Sequence, residues 1–183
     1  MDSLFVNIQP IYLIYFFYGA AFLVMAASIA AKDMKGSDLM LSKSVRLLGL
    51  FGLSHGMHEW MQLYPLIEGD HLSYRAIFIA KLAALVVFVL SYFFLLWFGL
   101  ALIKGVSEKR VWKAARFVPV LLAVAWVLHV WYTGFTVNMQ LLRQASIATR
   151  HTFGLVGSLL TAYGLMAYSR EVRYLSRTAA RNL

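Results

Sequence analysis

Arg46-Leu-Leu-Gly-Leu-Phe-Gly-Leu-Ser-His-Gly-Met-His-Glu-Trp-Met-Gln-Leu-Tyr64 is the stretch on which the reading of this chain turns. It is apolar enough to lie in a bilayer, yet it carries His55, His58 and Glu59 well inside its hydrophobic length. Ionisable groups at membrane depth are costly, so each needs a partner or a task. His55 and Glu59 are spaced i,i+4, and His55 and His58 i,i+3, so a helix projects all three from one side. Gln62 extends that side by a turn. Gly52 and Gly56 form a G-x-x-x-G pair, which lets a second helix approach closely. Two uses compete for such a cluster: interhelical polar glue, and a ligand or cofactor site.

Working outward, the composition favours a membrane domain. Of 183 residues, 61% are hydrophobic, and the mean hydropathy is +0.70. Length and apolar content fit one all-α, polytopic helical bundle. The net charge of +9 does not point to nucleic acid, because the basic residues fall in short loops between apolar segments. The absence of cysteine excludes disulfides, thiolate metal sites and cysteine nucleophiles. Met1 to Gln9 lacks the basic start and small-residue cleavage site of a signal peptide, so the first apolar segment is expected to be retained.

Five spans are expected, at about 11–31, 45–64, 74–103, 117–134 and 151–168, followed by a basic tail or linker over 170–183. Pro10 opens the first span, Pro65 closes the second, and Pro119 sits in the first turn of the fourth, where proline is tolerated. The third apolar run is longer than a bilayer requires. The stretch 135–149 is expected to prolong the fourth helix or to lie along the interface. Lys32, Lys35, Lys43 and Arg46 fall in the first loop. Lys104, Lys109, Arg110, Lys113 and Arg116 fall in the third, and Arg170, Arg173, Arg177 and Arg181 in the tail. The other side has only Arg75, Arg143 and Arg150, with Lys81 inside the third run. The positive-inside rule then puts the N-terminus outside and the tail in the cytoplasm.

With that topology, depth follows from a rise of about 1.5 Å per residue. His58 and Glu59 lie roughly 18–20 Å above the cytoplasmic edge, His129 about 20 Å, and Lys81 about 10 Å below the outer edge. Arg150 and His151 cap this layer from the fifth helix. Each member also has a plainer use. Lys81 can snorkel outward, His129 among Trp126, Trp131 and Tyr132 can be an interfacial histidine, and His151 can be an anchor. Glu59 is hardest to dismiss, since a buried carboxylate needs a cation, a donor or a proton. Lys81 is the natural cation by depth, with His55 the second candidate. Imidazoles from separate helices, His55 or His58 with His129 or His151, could ligate haem b or a metal. A quinone or other small amphiphile fits equally, with Trp60 or Trp126 in the pocket wall, and so does a proton relay. No nucleophile motif, phosphate-binding glycine loop or zinc-protease spacing is present, so no catalytic residue is assigned.

Gly52-Leu-Ser-His-Gly-Met-His-Glu-Trp60 resembles the H-G-x-x-E-W signature of a multi-helix membrane domain. That domain lies at the N-terminus of many bacterial sensor histidine kinases and diguanylate cyclases. Phe16-Phe-Tyr-Gly-Ala-Ala-Phe22, the run Val45 to Leu53, and Arg150-His-Thr-Phe-Gly-Leu-Val-Gly-Ser-Leu-Leu160 resemble further stretches of it. The matching signature positions are His55, Gly56, Glu59 and Trp60. The resemblance implies a signal-input module in the bacterial inner membrane. It also implies a kinase or cyclase domain beyond Leu183 or in a partner. The expected function is therefore sensory, with a His/Glu-lined site in the outer half of the bilayer and a homodimer or a membrane partner. A haem b or quinone redox subunit, or a structural subunit of a membrane complex, is the alternative.

Overall fold

The computed structural model describes residues 9–32, 40–106, 115–134 and 137–181. These are helical almost throughout, with no strand among the described residues. Helix α1 is Pro10–Ala31 and α2 is Met40–Glu68. A 3-10 turn, Gly69–His71, leads into α3, Tyr74–Val106. Helix α4 is Val118–Thr133. Helix α5, Met139–Thr149, passes through a π-helical segment, Arg150–Gly154, into α6, Leu155–Arg181. Helices α1 and α3 are each long and apolar enough to cross a membrane.

Successive helices alternate in direction. Tyr12 meets Leu66, Phe16 meets Trp60, and Gly49 meets Ile29, so α1 and α2 are antiparallel. His58 sits against Ala84 and His55 against Ser91, so α2 and α3 are antiparallel too. Trp126 reaches Thr149, while Val118 and Leu122 pack beside Phe153, which sets α4 antiparallel to the run after it. That run then lies parallel to α3, with Gly154 on Tyr92, Gly157 on Leu96 and Gly164 on Leu102.

Helix α3 is the centre of the bundle. Ala84, Phe88, Ser91, Leu96, Phe98 and Leu102 are its most deeply buried residues. Glycines set the contacts around it. A Cβ on Gly56 would stand 2.8 Å from the Gly19 carbonyl oxygen, and one on Gly52 would stand 2.9 Å from that of Phe22. The expected G-x-x-x-G face therefore meets α1 backbone to backbone. In hydrocarbon, helices associate through such close packing and through polar contacts, because lipid tails are as apolar as the side chains. The outer surface is apolar on several helices, with Ile14, Phe17, Val86, Leu121, Leu128 and Leu159 all exposed. A water-facing monomer rarely shows so much contiguous apolar surface.

Several boundaries differ from expectation. Helix α2 does not stop at Pro65 but runs on to Glu68. A proline so near the helix end forfeits only a backbone bond in the final turn. Residues 139–149 do not prolong α4. Gly134, at φ 148°, breaks the chain, in a backbone region that residues with a Cβ rarely enter. Asn138 then caps a new helix, its side chain accepting the Leu141 N–H at 2.9 Å. From there one helical run covers 139–181, about 65 Å at 1.5 Å per residue. The basic residues Arg170, Arg173, Arg177 and Arg181 belong to this run.

Candidate functional site

The site is built from one face of α2 closing on α3. His55, His58 and Glu59 are only 3%, 1% and 5% exposed. The i,i+4 pair meets, with His55 Nε2 3.6 Å from Glu59 Oε1. His55 Nδ1 lies 3.1 Å from Ser91 Oγ, and the Ser91 hydroxyl donates to the Phe88 carbonyl at 2.7 Å. That hydroxyl has one hydrogen, already committed, so it accepts from His55 Nδ1–H. His55 Nε2 and Glu59 therefore face each other with one proton to place between them. Neutral imidazole with a protonated acid, or imidazolium with carboxylate, both satisfy the pair.

His58 is fixed in the same way. Its Nδ1 lies 2.8 Å from the Ala84 carbonyl oxygen, and a carbonyl only accepts, so Nδ1 carries the proton. Its ring stacks on Phe88, with centroids 4.0 Å apart and planes 17° apart. Nε2 is buried with no hydrogen-bond partner among the described residues. Phe88 also carries the Arg150 guanidinium, 5.4 Å from its ring centre. The charge of Arg150 reaches His55, His58 and Glu59. Arg150 stands at the start of the π-helical segment, and such insertions in α-helices are frequent at functional sites.

His55 opens onto a cleft of about 400 Å³. Tyr18, Phe22 and Tyr92 line it on one side, and Ser158, Thr161 and Leu165 of α6 on the other. His55 thus looks onto the last helix. Thr161 Oγ1 also donates to the Leu95 carbonyl at 3.3 Å, tying α6 to α3.

Trp60 has a structural task. Its Nε1–H donates to the Phe16 carbonyl at 3.2 Å, and its ring stacks on Phe16. Gly19 leaves room for it, since a Cβ there would lie 2.5 Å from Trp60 Cδ1. Trp126 is tied to Thr149 and lies with the apolar cluster of Leu85 and Leu142, away from the His55 cleft. Gly56 and Trp60 serve the α1 contact, His58 serves α3, and His55 meets both, touching Phe22 of α1 and Ser91 of α3.

The remaining expected site residues lie elsewhere. Lys81 does not pair with Glu59, which meets His55 instead. The antiparallel register explains this: with His58 opposite Ala84, Lys81 falls one turn away, beside Gln62, and both line a different cleft. His129 is exposed on α4. His151 is exposed as well, its Nδ1 donating to the Ile147 carbonyl at 2.9 Å. The two histidines that converge are therefore His55 and His58, with ring centres 6.1 Å apart on the same helix. Among the described residues no group of three or more metal-ligating side chains is placed around one point. The converging imidazoles sit three residues apart on one helix, with their Nδ1 atoms held by Ser91 and by the Ala84 carbonyl.

Ser91, Phe88 and Tyr92 were not singled out from the sequence. Ser91 had a signal, as the one serine or threonine between Arg75 and Lys104. Comparison with known protein families, curated proteins and solved structures finds no match to this chain.

Proposed function

We propose that this chain is a polytopic sensory input module of the bacterial inner membrane. Its five helical passes run with the N-terminus outside and the C-terminus in the cytoplasm. The observation that carries the reading is the placement of the His55–Glu59 pair. It is buried, its proton has two possible homes, and its His55 lines a cleft that the last helix also lines. A small amphiphile such as a quinone, entering that cleft, would set a polar head beside His55 and lay its apolar part against Phe22 and Leu165. Few polar anchors in an apolar pocket is the usual composition of a small-molecule site. Ligand or proton state would then bias the packing of α6 on α3, and a continuous helix carries that bias to residue 181. A ligand shifts such an equilibrium only by its differential affinity for the two packings.

The resemblance of the His55–Trp60 stretch to sensor-kinase input domains points the same way. The test is a chimera with the whole chain fused, in helical register after Leu183, to a histidine-kinase catalytic region in nanodiscs. His55→Gln and Glu59→Gln are expected to shift autophosphorylation severalfold from the unsubstituted chimera. A ubiquinone analogue with a short tail should shift the unsubstituted chimera alone. Identical output from all three, with and without the quinone, would refute the sensory reading.

A further inference from the structure

A second cleft, of about 640 Å³, lies between α2, α3 and α5. Lys81, Arg143 and Arg150 line it, together with the neutral side chains Gln62, Tyr15 and Ser146. No acidic residue is among its lining. None of the three cations makes an ion pair among the described residues. Arg143, Ser146, Ile147 and Arg150 follow the i, i+3, i+4, i+7 spacing, so they form one stripe on α5 running into the π-helical segment. Like charges brought to one partly enclosed cavity repel, the more so at low local dielectric. Leu85 and Leu142 supply an apolar floor, part of the packed cluster beside Trp126.

We propose that this cleft binds the anionic oxyacid group, phosphate or carboxylate, of an amphiphilic molecule. Two guanidinium forks suit such a group because each can donate two parallel hydrogen bonds to it. Lys81 adds a mobile third charge, Gln62 and Ser146 complete the donors, and the leucine floor receives the adjoining apolar chain. Lys81 lies about 10 Å along α3 from its first residue, and Arg143 about 6 Å along α5. The cleft therefore sits near the end of the bundle, at a depth that either a lipid headgroup or an anion from the aqueous side can reach. Through Arg150, which also rests on Phe88, an occupant would neutralise the charge that bears on the His55–Glu59 pair.

Titration of the full chain in neutral detergent, read by native mass spectrometry and thermal shift, tests this. Dodecyl phosphate is expected to bind saturably, and dodecanol is not. Lys81→Gln, Arg143→Gln and Arg150→Gln should each weaken binding about tenfold or more, as loss of a charge-assisted bond does. Arg75→Gln, outside the cleft, should leave it unchanged, and Arg143→Lys should recover part of the loss. If a neutralised variant does not fold, the unsubstituted protein still decides, because its affinity must fall as salt rises. Inorganic phosphate binding as tightly as dodecyl phosphate identifies a soluble anion. Binding only of dodecyl phosphate and of phosphatidylglycerol in nanodiscs identifies a lipid headgroup. Equal binding of dodecanol, or affinity untouched by all three substitutions, overturns the site. Binding is read here with no output attached, so a failed titration leaves the sensory reading standing, and a silent chimera leaves this cleft standing.

Discussion

Replacing Glu59 with alanine leaves His55 Nε2 facing a void in a buried position. If the pair is imidazolium and carboxylate, removing one partner costs about 3–5 kcal/mol, because the remaining charge stays desolvated. Glu59→Gln keeps the shape and an oxygen that can still accept from His55 Nε2–H, so its cost is smaller, about 0.5–1.5 kcal/mol, the net range for one hydrogen bond. Unfolding of both variants by denaturing detergent, against the unsubstituted protein, measures this. A Glu59→Ala loss below about 0.5 kcal/mol, the range of unremarkable surface changes, would show that the 3.6 Å contact stabilises nothing. His58 behaves differently. Its Ala84 bond and its stack on Phe88 hold the ring, while its Nε2, without a partner among the described residues, is a buried hydrogen-bond acceptor.

At the scale of the helix, the α1–α2 contact rests on glycine. Gly56→Ala puts a methyl group 2.8 Å from the Gly19 carbonyl oxygen, and backbone cannot rotate aside as a side chain can. The two helices must separate, which costs about 1–3 kcal/mol by the measure of overpacked cores. Gly69→Ala is the matched control. Nothing lies within 4 Å of its Cβ position, so it is expected to change stability by less than about 0.5 kcal/mol. Equal melting temperatures for both variants would show that α1 is not seated as described. The same separation should loosen the Trp60–Phe16 bond, which depends on the closeness of Gly19.

Across the whole molecule, alternating helices gather the Glu68–Tyr74 turn and the start of α5 at one end. The ends of α1 and α3 and the start of α4 lie at the other. Single cysteines at Asp70 and Lys32 are therefore expected to react from opposite sides of a cell membrane. On the proposed topology Asp70 is the outer of the two. A membrane-impermeant maleimide should label Asp70→Cys in intact cells and Lys32→Cys only after lysis. Labelling of both from the same side would break the five-pass reading. The third-loop residues Lys109, Arg110 and Lys113 lie outside the described residues.

What the sequence determined by itself was whatever one helix can encode. Apolar run lengths placed α1 and α3, Pro10 and Pro119 marked two helix starts, and Gly52–Gly56 marked a packing face. The i,i+4 spacing brought His55 and Glu59 together, because both ends of that contact sit on the same turn-and-a-bit of backbone. The tertiary structure decided everything that depends on register between helices. Depth alone made Lys81 the partner of Glu59, but depth is one coordinate. Rotation about each axis and the one-turn offset of α3 on α2 send Lys81 to Gln62 and bring Ser91 to His55. The same limit explains His129 and His151, which share the expected layer yet face outward. The π-helical segment was not legible in the sequence either, and its first residue, Arg150, lies over the Phe88 ring. A residue's height along a helix is fixed by counting, whereas the direction it faces is fixed only when neighbouring helices pack against it.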